Sequence, residues 1–299
     1  MKKLFFLAVA GLMMAACSLS DLEDLANQAK DKLTEIQTAK ENMVVYMPLE
    51  SADKAIKLGE GITFAAKEGA AGFDKGEGGN AYFNTSGKND PAYLKFNLAK
   101  DNALSKLEDV TITLWVKNIE DFQKGGFFSV NGKTFPQQDW PSLIVYLDNK
   151  GIEKDEAGNE TGVKTQQVNG RCIFKNAEGL ETNLWLDTWN SAFAVYDKWF
   201  QFGWTYDHTT GAWALYVDGV KVRDAEYGDK IAFGKCIPED ATALYVGGWA
   251  SFIEKYVGAA DWQMYFAGGI DEIRIFNKAL TEAEMLELYK EEVKLSALL

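Results

Sequence analysis

Residues 266–289, FAGGIDEIRIFNKALTEAEMLELY, restrict the possible folds more than any other stretch of the chain. After the glycine pair Gly268 and Gly269, residues 270–276 alternate with a period of two and put Ile273 and Ile275 on one face, which predicts a short strand. A helix start follows at once. Thr281 stands at an N-cap position and Glu284 lies three residues later, the pattern of a capping box. Leu280 is placed as a hydrophobic staple onto Met285 or Leu286, and Met285, Leu286 and Tyr289 form the expected buried set of the helix. A late strand closed by one capped helix is a narrow requirement, because the preceding chain must supply a sheet on which both can pack.

The preceding chain does read as strands. Residues 43–47 form a compact apolar run ended by Pro48, and strand patterns recur at 62–66, 81–83, 92–96, 126–130, 142–147, 171–174 and 244–248. In residues 110–116, Ile112, Leu114 and Val116 share one face while Thr111, Thr113 and Trp115 share the other. Bulk on both faces predicts a strand that is covered on both sides or lies near a binding surface. Residues 199–220 read as a hairpin with turn chemistry at 207–211. Glycine- and acid-rich residues 67–80 and 148–162 read as loops, and residues 183–190 and 249–256 read as aromatic loops.

Three of these pieces, in this order, resemble one known family. They are Val-Thr-Ile-Thr-Leu-Trp-Val at 110–116, the hairpin WFQFGWTYD…TGAWALYVDGV at 199–220, and GGIDEIRIFNKALTEAE at 268–284. The last is similar to the laminin-G-like form G-x-I-D-E-[IV]-R-[IV]-[FY]-[NR]-x-A-L-[ST]-x-x-E. The resemblance implies an all-β, concanavalin A-like jelly-roll β-sandwich over residues 43–299, preceded by an N-terminal helix and ending in a short C-terminal helix. It leaves function open, since lectins, glycan-binding modules, hydrolases and adhesion proteins share this fold.

The first residues read differently. Lys2 and Lys3 precede a short apolar run and then Ala15, Ala16 and Cys17, the layout of a secretory signal peptide over 1–17. Met14-Ala-Ala-Cys17 resembles a bacterial lipobox, which implies a lipidated Cys17, and Ser18 after it, by likeness to enterobacterial lipoproteins, favours the outer membrane; a leader cleaved nearby, with a free cysteine, is the alternative. Residues 18–42 carry Leu22, Leu25, Ala29, Leu33 and Ile36 at helical spacing without glycine, proline or aromatics. They are expected to form a helical spacer of about 37 Å at ~1.5 Å per residue; a helix folded back on the domain or a disordered tether is the alternative. The formal charge is −13 and becomes more negative without Lys2 and Lys3, which argues against nucleic acid as a partner. Two further cysteines, Cys172 and Cys236, either pair in an oxidising compartment or remain separate buried thiols.

Nine tryptophans is a high count, and they divide by position. Trp115, Trp199, Trp204 and Trp213 fall in strands and are expected in the core. Trp140, Trp185, Trp189, Trp249 and Trp262 fall in loops beside Asp, Asn, Gln or Ser, and are the candidate glycan-binding platform; end-capping of the sandwich is the other reading. The family resemblance also implies a structural Ca²⁺ held by Glu50 or Asp53 after the first strand together with Asp271. The paired carboxylates of related glucanases, E-x-D-x-x-E on one strand, are absent, and Glu153-Lys-Asp155 supplies only half of the pattern. The single histidine, His208, excludes a multi-histidine zinc site. The function expected is therefore non-catalytic polysaccharide binding by a lipoprotein. A protein-interaction or adhesion module, engaging another envelope protein, is the second reading, and a glycoside hydrolase or lyase the third.

Overall fold

Alternating apolar residues build two antiparallel sheets around one core. The computed structural model describes residues 41–51, 59–76, 80–120, 123–187 and 196–296. The leader with Cys17, the spacer up to residue 40, Asp53 and Trp189 lie outside the described residues. The first sheet orders β13 (Val220–Glu226), β12 (Ala212–Val217), β11 (Trp199–Tyr206), β6 (Val110–Asn118), β15 (Gly268–Phe276), β4 (Asn80–Asn84) and β3 (Gly72–Lys75), with β1 (Met43–Met47) also paired to β15. The second orders β10 (Glu181–Asp187), β9 (Glu160–Lys175), β8 (Leu143–Lys154), β7 (Gly126–Val130), β14 (Ala243–Val246), β5 (Ala92–Leu98) and β2 (Ile62–Gly69). Ile112, Leu114, Val116, Phe200, Phe202 and Trp204 of the first sheet meet Leu143, Val145, Leu147, Val168 and Phe174 of the second in one buried cluster. This is the expected sandwich.

The outer face of the first sheet is closed by the C-terminal helix α2 (Glu282–Ser296), which follows the short helix α1 (Ala250–Ile253). The capping box forms as expected: Thr281 N–H donates to Glu284 Oε2 at 2.8 Å, and Glu284 N–H donates to Thr281 Oγ1 at 3.3 Å. Leu280 and Met285 pack in one cluster with Phe276 and Tyr216. The buried set differs from the expected one. Met285 and Leu288 are inside, whereas Leu286 and Tyr289 are half-buried and Tyr289 stacks on Trp115 with centroids 5.6 Å apart. The helix comes so close to β11 that a Cβ on Gly203 would press against the Met285 methyl group. Thr281→Ala is expected to cost about 1 kcal/mol of stability, read by urea denaturation; no change would mean that the tertiary contacts alone hold the helix start.

Beneath α2 lies a buried charge cluster. β15 pairs with β4 through Gly268–Ile270 and with β1 from Ile273 onward, and its register on β6 slips between Asp271 and Arg274. Glu272, at φ 51°, occupies this bulge and reaches both Arg274 and Tyr46. Arg274 also bonds Glu292 of α2, which in turn accepts hydrogen bonds from Trp115 Nε1 and Gln201 Nε2.

In four segments read as loops, the described residues include regular strands or a helix. β2 continues to Gly69 and β3 follows within residues 67–80. Residues 148–162 form the outer part of a β8–β9 hairpin, closed by Asn159 N–H donating to Asp155 Oδ1 at 2.8 Å. Residues 181–187 are the edge strand β10, and α1 occupies part of 249–256. Cys172 of β9 and Cys236 of a 3₁₀ turn form a disulfide with Cα atoms 5.5 Å apart, which decides between the two expectations for them.

Candidate functional site

The outer face of the second sheet collects the aromatic residues. Along β8, Leu143, Val145 and Leu147 point to the core, so Ile144, Tyr146 and Asp148 point outward. By the same alternation β9 turns Val168 and Cys172 inward and Asn169 and Arg171 outward, while β10 turns Leu184 and Leu186 inward and Asn183 and Trp185 outward. The register sets Trp185 beside Arg171, Arg171 beside Ile144, and Asn169 beside Tyr146.

Three connecting segments add indoles to this face. Trp140 comes from the β7–β8 connection, Trp249 from the end of β14, and Trp262 from the segment before β15. Their ring centroids lie 5.1 Å (Trp140–Trp249), 5.4 Å (Trp140–Trp262) and 5.3 Å (Trp249–Trp262) apart, all edge to face. Tyr146 is 4.5 Å from Trp249. The rings thus support one another in the edge-to-face geometry that aromatic pairs prefer.

Polar groups surround the rings. Trp249 Nε1 donates to Lys124 O at 2.6 Å. Lys124 Nζ sits 4.9 Å from the Trp262 ring centre and pairs with Asp148 at 2.6 Å. Asn169 Nδ2 donates to Asp148 Oδ2 at 2.9 Å. The Arg171 guanidinium lies 4.0 Å from the Trp140 ring centre and 5.5 Å from that of Trp185, and Arg171 Nε donates to Asn183 Oδ1 at 2.9 Å. Burial pushes the Arg171 pKa below its ordinary value; nearby tyrosine and acid charges only oppose that effect.

Four of the five tryptophans singled out in the sequence therefore converge, and Trp189 lies outside the described residues. Their exposure is unequal. Trp185 is 47% exposed, Trp140 and Trp262 are half-buried, and Trp249 is 0% exposed. Trp249 is thus a brace beneath the cluster, not the open loop ring expected, because its ring is enclosed by Tyr146, Trp140 and Trp262. Sequence reasoning missed Arg171, Tyr146, Asn169 and Asn183. Alternation against the inward Leu143, Val145 and Cys172 would have placed Tyr146 and Arg171 on the outer face.

The other candidates lie elsewhere. Glu50 Oε2 accepts from Asn80 N–H at 3.0 Å, and the fully buried Asp271 accepts from Glu272 N–H at 2.9 Å. Among the described residues no three Asp, Glu, His or Cys side chains gather into a metal site, and the described part of the expected calcium set is two carboxylates already engaged by backbone N–H groups. His208 Nδ1 lies 2.8 Å from Asp109 Oδ1 at the β11–β12 turn, on the first sheet, and this hydrogen bond raises the His208 pKa. Glu153 bonds Thr161 Oγ1 at 3.0 Å and Asp155 closes the adjacent turn, so the half-motif serves the hairpin tip.

Comparison with known proteins agrees with this architecture. No curated protein matches the chain in sequence. Among solved structures, the chain is similar to domain 4 of AbnA, a GH43 extracellular arabinanase from Geobacillus stearothermophilus, in complex with arabinotriose (16% identity, TM-score 0.46, 83% of this chain and 98% of that one). It is similar to the botulinum neurotoxin type G receptor binding domain (13% identity, TM-score 0.50, 84% of this chain and 51% of that one). It is also similar to the CBM40 of Ruminococcus gnavus IT-sialidase bound to α2,3-sialyllactose (14% identity, TM-score 0.42, 62% of this chain and 84% of that one). At such identities the likeness is one of fold. The Laminin_G_3 family model matches residues 77–285, most of the chain, and the protein therefore belongs to that family of the concanavalin A-like lectin/glucanases superfamily.

Proposed function

We propose that this protein is a non-catalytic carbohydrate-binding lipoprotein, anchored at a bacterial outer membrane through Cys17, which holds a glycan on the outer face of its second sheet. The observation that carries the reading is the convergence of Trp140, Trp185 and Trp262 beside Arg171, Asn169 and Asn183. Sugars present apolar C–H faces that pack on aromatic rings, and hydroxyls that need a few fixed polar partners. Trp185 offers an open ring for the first, and the amides and guanidinium serve the second. Asp148, a carboxylate on this face, is held by Lys124 and Asn169, which suits structure better than proton transfer. A structural calcium held by Glu50 or Asp53 together with Asp271 belongs to the same reading. It would act on stability and not on sugar contact, since β15 lies in the first sheet.

The test is retardation of the purified full-length chain in native gels containing a panel of neutral and acidic polysaccharides, with and without EDTA. Retardation by at least one glycan, weakened by Trp185→Ala, is expected, with no release of reducing ends on incubation. Failure of every glycan to retard the protein would sink the reading. Palmitate labelling that is lost on Cys17→Ser tests the anchor separately.

A further inference from the structure

Arg171 is unusually placed for a charged side chain. It is half-buried on the outer face of β9, flanked by Trp140 on one side and Trp185 on the other. Its Nε is committed to Asn183 Oδ1 at 2.9 Å, which fixes the rotation of the guanidinium plane. Among the described side chains no carboxylate lies within ion-pair distance of it and no acceptor meets its Nη1 or Nη2. The contrast within the same site is direct, because Lys124 is matched by Asp148 at 2.6 Å. Asp139 and Glu181 act on Arg171 only through space. Long cations are seldom withdrawn from water without a partner. Contact with two indoles offsets part of that cost, but leaves the hydrogen-bonding end of the fork unused.

We propose that the aromatic face selects glycans bearing an isolated carboxylate, a uronic acid or other sugar acid on an otherwise neutral chain, with the Nη edge of Arg171 taking the carboxylate while Trp185 packs against the ring. This rests on the sugar-binding reading above and names its ligand class. A planar guanidinium matches a carboxylate through two parallel hydrogen bonds, which a hydroxyl cannot reproduce. The restriction to sparse charge follows from the whole molecule. The chain carries a formal charge of −13, so a dense polyanion is repelled while one carboxylate meets one local cation.

The decisive experiment sets each acid against its carboxyl-reduced form. The full-length protein is titrated by calorimetry with aldouronic oligosaccharides from glucuronoxylan and with 3′-sialyllactose, each against its carboxyl-reduced counterpart, and with polygalacturonate as a dense polyanion. A preference of about tenfold or more for at least one acid over its reduced form is expected. That preference should disappear in Arg171→Gln, weaken in Arg171→Lys, and fall together with all binding in Trp185→Ala. The lysine variant, which keeps the charge, guards against misreading a folding defect in the glutamine variant. Equal binding of acid and reduced forms, or a preference that survives Arg171→Gln, overturns the inference and leaves the sugar platform standing. Tightest binding to polygalacturonate overturns the isolated-carboxylate class. No binding to any of these sugars, together with no retardation in the glycan panel, overturns both readings.

Discussion

Arg274→Ala is expected to destabilise the fold by about 3–5 kcal/mol, because it leaves Glu272 and Glu292 facing each other without their shared cation. Glu272 also accepts from Tyr46, and Glu292 from Trp115 and Gln201, but none of these donors is charged. The loss has a pH signature. Burial holds both carboxyls above their ordinary range, and Arg274 is the largest opposing influence on each. A carboxyl raised in the folded state stabilises below its unfolded pKa, and that contribution is lost as pH rises through the folded value. Removing Arg274 raises both groups further, so the deficit of the variant should be largest at neutral pH and shrink on acidification. Urea denaturation of wild type and Arg274→Ala at pH 5 and pH 7.5 reads this directly. A loss below about 1 kcal/mol, or one that grows in acid, would show that the cluster is solvated in solution.

Trp185→Ala and Trp249→Ala should separate binding from stability. Trp249 is enclosed by three rings and donates to Lys124 O, so truncation opens a cavity and is expected to cost about 3–5 kcal/mol. Trp185 stands on the edge strand with 47% of its surface exposed, and its loss is expected to change stability by less than about 1 kcal/mol. The same substitution should weaken glycan binding about tenfold or more, roughly 1.4 kcal/mol. Melting curves and titrations on both variants check the split. A large stability loss at Trp185 with unchanged binding would make that ring an end-cap of the sandwich.

How far the sequence reveals the fold depends on which faces meet the core. β6, β11, β12 and β15 are legible because their apolar residues alternate against the buried interior, and α2 because Thr281 and Glu284 spell its first turn. The outer part of the β8–β9 hairpin is not legible, because residues 151–164 meet water on both faces and carry no apolar period. β10 holds a period of two in Leu184 and Leu186, but its Trp185, among acids and amides, resembles loop chemistry. That Trp140, Trp185 and Trp262 would gather outside the core was legible from composition and position, whereas the burial of Trp249 was not. Arg171 was not, since only the pairing of β9 with β10 sets it beside Trp185, and only the β7–β8 connection brings Trp140 over it.

β1, the first described strand, pairs in the first sheet and α2, the last described helix, packs on that sheet's outer face, whereas the indoles crown the opposite outer surface. A surface that meets the protein through β1 and α2 would therefore leave the indole surface turned toward the bulk liquid, and a bulky partner docked on α2 would not shade it.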